Sequence, residues 1–230
     1  MMDSVCIKQL TDFFERKYEL SLEKSIIEKT FCSHKQEVIA HIESLNNIEI
    51  KDYIEYIKTR CKCQPVMAAN VFQFSNFDDA TINICRNICK VGNSGVKFIE
   101  VANLLLTDNV PRKDGALSKY GENHIKTAEA MGLAFRNDSK IYYLSAWGCV
   151  FAELSNDAQE KFLLRLIIRN KLITQLFIAA NHGAFDLEAF LYDLSKSTYL
   201  RRRTNINRII EWLNASQEYD FSILTRNIKY

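Results

Sequence analysis

The residues best equipped for chemistry in this chain lie in Ser197-Thr198-Tyr199-Leu200-Arg201-Arg202-Arg203-Thr204, which opens a helix expected to run from Thr198 to Leu213. Guanidinium forks bond oxyanions in a bidentate fashion, and the free amides of a helix start point the same way. Three adjacent cations repel one another and call for an anion or an acidic partner. Arg201, Thr204 and Arg208 recur at i, i+3 and i+7, opposite Ile206, Ile209, Ile210 and Leu213, so one face is cationic and the other apolar. Arg208 has the donors to read guanine, while Arg202 and Arg203 are expected near the helix start, facing phosphates.

A second helix, expected over Ser118–Met131, repeats the arrangement. Lys119, Asn123 and Lys126 stand at i, i+4 and i+7, opposite an inward stripe of Ile125, Ala128 and Met131. Asn123 could pair with adenine, and Lys119 is expected near the helix start to meet a phosphate. After Gly132 come two β-like pieces, Leu133–Arg136 and Ile141–Leu144, joined by the turn Asn137-Asp138-Ser139-Lys140. Arg136 and Lys140 would project from that hairpin. The plainer reading of such faces is an ordinary solvated helix surface, and the arginine run is the feature that argues against it.

The elements that must position these residues are mostly helical. Seven glycines and two prolines leave little room for the turns of an all-β chain. The fold class read from the pattern is mainly α, with an N-terminal helical subdomain (residues 1–78) followed by two tandem winged-helix units (79–154 and 155–230). The subdomain carries stripes at Leu10, Phe13 and Phe14, at Val38, Ile42 and Leu45, and at Tyr53, Ile54 and Ile57. The first unit has a helix through Ile84, Ile88 and Val91, a turn at Gly92-Asn93-Ser94-Gly95, a helix from Lys97 to Leu106, then the Lys119 helix and the hairpin. Three helices and a hairpin in that order make a winged helix-turn-helix. The second unit reads as helices over Asp157–Ile168, Lys171–Ala180, Asp186–Leu194 and Thr198–Leu213, with a strand at Phe221–Leu224.

The formal net charge is only +2, so distribution matters more than total. Residues 1–80 hold 10 basic against 13 acidic groups, and residues 81–230 hold 20 against 15. Seven cysteines at irregular spacings, no leader-like segment and no apolar run long enough to span a bilayer point to a reducing cytoplasm and to no membrane contact. Cys61, Cys63, Cys85 and Cys89 could be offered as a four-thiolate zinc site. Core packing is the preferred reading, because Cys85 and Cys89 fall at i, i+4 on an apolar stripe. Cys32 and Cys149 are read as packing thiols, and His41 and His124 as bordering core stripes. Glu49-Ile50-Lys51 matches half of a metal-dependent nuclease motif but lacks its upstream acid and its strand. His34, His41, His124 and His182 have no metal-ligand spacing, and no phosphate-cradling glycine loop occurs. No cofactor is expected.

The run from Lys119 to Leu133 resembles the third helix and strand entry of winged-helix modules in bacterial restriction and phage-defence proteins. Thr198 through Trp212-Leu213 is similar to a second module of that group, in which a Thr-Arg-Arg stretch precedes a helix ending in Trp-Leu. The likeness covers about residues 81–225 and leaves 1–78 unmatched. It implies an accessory or specificity role in binding DNA and supplies no catalytic residue; the shortness of the second wing departs from the pattern. The expectation is a non-catalytic protein that holds duplex DNA through both basic helices, while its N-terminal helices recruit a protein partner or a second copy. Two rivals stand beside it: a protein-interaction adaptor using the apolar run Phe162–Ile168, and a magnesium-dependent nuclease using Glu49.

Overall fold

The structure, a computed structural model, describes residues 27–60, 66–92, 94–108 and 110–230, with side chains from Lys35 onward. Leu10, Phe13, Phe14, Cys61 and Cys63, and the side chains of Cys32 and His34, lie outside the described residues. The described chain is mainly helical. Its elements are α1 (Ile27–Asn46), α2 (Ile50–Arg60), α3 (Ile84–Lys90), α4 (Phe98–Leu105), α5 (Asp114–Ala130), β1 (Ala134–Arg136), β2 (Tyr142–Leu144), α6 (Ala146–Glu153), α7 (Asn156–Ile168), α8 (Lys171–Asn181), β3 (Phe185–Asp186), α9 (Leu187–Phe190), α10 (Lys196–Ala215), α11 (Ser222–Asn227) and β4 (Ile228–Lys229).

These elements divide into two compact units. The first comprises the described residues up to Asn47 together with Gln73–Leu163; the second comprises Ile48–Phe72 together with Leu164–Tyr230. The two N-terminal helices bury their stripes against different later elements. Val38, Ile42 and Leu45 of α1 are buried, and α1 packs on α6. Tyr53 of α2 instead donates its hydroxyl to the carbonyl of Arg165 at 2.9 Å, and α2 packs on α8.

In the first unit a π-helical turn, Asp79–Asn83, leads into α3. Helix α4 starts where Glu100 reaches back to accept from the Lys97 amide at 2.6 Å. Helix α5 crosses α4 so closely that a Cβ on Gly121 would lie 1.8 Å from the Phe98 carbonyl oxygen. Only glycine allows that approach. Strands β1 and β2 pair antiparallel, Ala134 opposite Leu144 and Arg136 opposite Tyr142. Val96 joins them as an unforeseen third edge, exchanging backbone hydrogen bonds of 2.8 and 2.9 Å with Tyr142.

Helix α5 begins at Asp114, four residues before the expected start, because Asp114 and the small residues after it continue the helix back to an extended Lys113. Helix α10 likewise begins at Lys196, with Ser195 capping the Thr198 amide.

In the second unit Phe221–Leu224 is not a strand. Asp220 accepts from the Ser222 amide at 3.0 Å, and α11 follows, burying Phe221 and Leu224 three positions apart. The strand that does form near there, β4, pairs in parallel with β3. No antiparallel hairpin follows α10 among the described residues. The expected helix Asp186–Leu194 is reduced to the single turn of α9, capped by Asp186. Arg165 lies at 1 % exposure in this unit's core. It pairs with Glu218 at 3.1 Å and donates to the Ile48 carbonyl at 2.7 Å.

Candidate nucleic-acid interface

Helix α10 holds no glycine or proline to break it over twenty residues. Ile206, Ile209, Ile210 and Leu213 are buried, and Arg201, Thr204 and Arg208 are exposed. Arg201 folds back along its own helix, donating to the Ser197 carbonyl at 3.1 Å and to Thr198 Oγ1 at 3.3 Å. Arg202 and Arg203 are half-buried. Because α10 starts at Lys196, they are its seventh and eighth residues; the first-turn amides are not theirs, which corrects their expected placement at a helix start. The Nη1 of Arg202 is shut off from solvent and has no hydrogen-bond partner. Burial, and then the neighbouring charge of Arg201, pull the Arg202 pKa below its ordinary value. Among the described residues no carboxylate forms an ion pair with Arg201, Arg202 or Arg203.

Helix α5 differs in charge. Lys119 and Lys126 are exposed, yet both grip Glu122, at 2.7 and 2.6 Å. These bonds hold the Glu122 carboxyl below the usual carboxylate range. The Lys126 ammonium also lies 5.9 Å from the Phe98 ring centroid. Lys119 sits in the second turn, not at the helix start, and Asn123 is half-buried. Two lysines face three carboxylates on α5, Asp114, Glu122 and Glu129, whereas Lys196 and four arginines face only Glu211 on α10. The attraction for a polyanion therefore differs in sign between the two helices.

The hairpin carries Arg136 and Lys140, both exposed. Its turn is closed by Asn137, whose Oδ1 accepts from the Ile141 amide at 2.9 Å, and Lys140 occupies left-handed backbone at φ 61°. Beneath α5 lies a group not expected from the sequence. The phenol of Tyr120 donates to Asp79 at 2.7 Å, and its ring stacks on His124 at 4.0 Å. Thr127 Oγ1 donates to the Gln73 carbonyl at 2.9 Å. His124 is wholly buried. Its Nδ1 faces the Tyr120 carbonyl at 2.7 Å and so carries the proton, leaving Nε2 to accept from the Asn76 amide at 3.4 Å. Tyr120, His124 and Thr127 stand at i, i+4 and i+7 on α5, a spacing visible in the sequence. Burial and the bond to Asp79 push the Tyr120 phenol up to about 12, and burial lowers the His124 pKa. The cluster straps residues 73–79 onto α5.

Glu49 and Lys51 are exposed at the start of α2. Among the described residues no group of three or more His, Cys, Asp or Glu could hold a metal ion. Burial pushes the Cys149 thiol up to about 12 and the Cys85 thiol higher than usual, the behaviour of packing thiols. No described helix is long and apolar enough to cross a membrane. Comparison with protein families, with curated proteins and with solved structures finds no match for this chain.

Proposed function

We propose that this chain is a non-catalytic DNA-binding protein that grips the phosphates of duplex DNA through α10, in the role of an accessory or specificity component of a restriction or phage-defence system. The observation that carries the DNA reading is the run Arg201, Arg202 and Arg203 on a helix with a single carboxylate, with no acid pairing any of the three among the described residues. The defence role rests on the sequence resemblance alone. Read in the same way, the first unit is a winged helix: α3, α4 and α5, then the hairpin, with Val96 bridged to its edge. Its contribution to DNA falls mainly to Arg136 and Lys140, because Lys119 and Lys126 already share Glu122. Asn123 remains the candidate base reader of α5. The second unit keeps the basic helix, with a parallel strand pair in place of a wing.

The adaptor reading loses the surface that suggested it, since Phe162–Ile168 is buried within the chain at 3 % exposure or less. Of the N-terminal stripes, Val38, Ile42, Leu45, Tyr53, Ile54 and Ile57 are buried too, which leaves recruitment to Leu10, Phe13 and Phe14, outside the described residues.

Fluorescence anisotropy with a random duplex across a salt series tests the proposal. The unmodified protein should bind with a steep negative slope of log affinity against log salt, and the Arg201/Arg202/Arg203→Ala variant should lose about three units of that slope, at ~0.9 per phosphate contact. An unchanged slope and affinity in the variant would remove α10 from the contact.

A further inference from the structure

Of the three guanidiniums, Arg202 occupies the least comfortable position. Its Nη1 is excluded from solvent and makes no hydrogen bond, and no carboxylate pairs with it among the described residues. Its neighbour Arg201 is fixed at its side by bonds to Ser197 and Thr198. A guanidinium has five donors and no means of shedding its charge, so a buried, unpaired N–H is an unmet demand for an acceptor. Neither the helix nor the core requires a cation at this position: α10 is anchored by Ile206, Ile209, Ile210 and Leu213, and a straight apolar side chain propagates a helix as well as arginine does. The donor is thus left unsatisfied beside a second cation, an arrangement that lowers the stability of the free protein and that a bound oxyanion would relieve.

We propose that Arg202, by turning its guanidinium outward, becomes the centre of a phosphate-oxyanion site completed by Arg201, and that the stability its buried donor costs the free protein is recovered when a phosphate group is bound. The inference rests on the reading of α10 as the DNA contact and deepens it. The site would take one doubly or singly charged tetrahedral oxyanion, whether a backbone phosphate of duplex DNA or a free phosphate group.

The test compares the intact protein with Arg202→Met in two assays. The first is thermal unfolding with low-millimolar sodium sulfate against sodium chloride of equal ionic strength, a range too dilute for general salting-in or salting-out effects. The second is anisotropy with a random duplex. Arg202→Met should unfold at a higher temperature than the intact protein in chloride, should lose the extra stabilisation that sulfate gives the intact protein, and should bind the duplex about tenfold to a hundredfold more weakly. If Arg202→Met unfolds at a lower temperature in chloride, or if sulfate stabilises both proteins equally, the proposed site is wrong, and duplex binding by the intact protein would leave the DNA reading standing. If sulfate acts only through Arg202 and the intact protein ignores duplex DNA, the oxyanion site stands and the DNA reading falls.

Discussion

At the scale of single residues the molecule contrasts charges that are compensated with charges that are not. Arg165 is buried but fully engaged by Glu218 and the Ile48 carbonyl, as a buried cation must be. Lys119 and Lys126 are exposed but share one carboxylate. His124 is better compensated in its neutral form: a proton added at Nε2 would face the Asn76 amide, donor against donor, with the Ser75 hydroxyl at 3.4 Å as the acceptor left to it. Its pKa lies below the ordinary value when folded, so the unfolded chain takes up that proton first as pH falls. The stabilisation contributed by neutral His124 is therefore complete above about pH 6.5 and is lost as pH drops from there through the folded-state value. Thermal unfolding midpoints between pH 7.5 and pH 5 should fall more steeply for the unmodified protein than for His124→Gln, which cannot be protonated. Parallel profiles would exclude this residue as a source of acid sensitivity.

At the scale of elements, the crossing of α4 and α5 is the contact on which the first unit's geometry depends. Replacing Gly121 by alanine improves intrinsic helix propensity by about 1 kcal/mol. It also places a methyl group 1.8 Å from a backbone oxygen that cannot rotate away. Overpacking of this kind costs about 1–3 kcal/mol or more, so the balance is unfavourable, and α5 must be displaced from α4. Urea denaturation of Gly121→Ala should show a lower midpoint; a midpoint equal to or above that of the unmodified protein would mean that the helices separate freely. Which elements exist was legible from sequence wherever the signal is local. The 3.6-residue stripes of Ile125, Ala128 and Met131, and of Ile206, Ile209 and Leu213, place both basic helices, and alternation around Asn137–Lys140 places the hairpin. Phe221–Leu224 misled because a short, mostly apolar run suits a strand or a buried helical turn equally; here it takes the turn, with Asp220 accepting from the Ser222 amide.

At the scale of the whole molecule a net charge of +2 is a poor guide; location decides. Glu43 and Glu49 are exposed and remote in sequence from α10. Changing both to glutamine doubles the net charge, yet should alter duplex affinity by less than about threefold, because neither pairs with Arg201, Arg202 or Arg203 among the described residues and an exposed, unpaired charge is strongly screened. An increase comparable with the loss in the triple-arginine variant would show that bulk charge, not α10, governs binding. The same double variant removes the acid of the Glu49-Ile50-Lys51 motif, so metal-dependent cleavage present before the change and absent after it would revive the nuclease.

Spacing along one piece of the sequence was enough to place the two basic helices with their apolar faces and to show that three guanidiniums follow one another on α10, whereas the helices Ala146–Glu153 and Ser222–Asn227 escaped it. Even the sharing of Glu122 is implicit there, its lysines lying three residues before it and four after. The tertiary structure alone decided that α1 and α2 belong to different units, that Phe162–Ile168 is consumed by the chain's own core, that Val96 joins β2, and that Arg202 is half-buried without an acceptor. Those outcomes depend on which distant segments meet, and a side chain's need for a partner becomes visible only after the fold has removed its water.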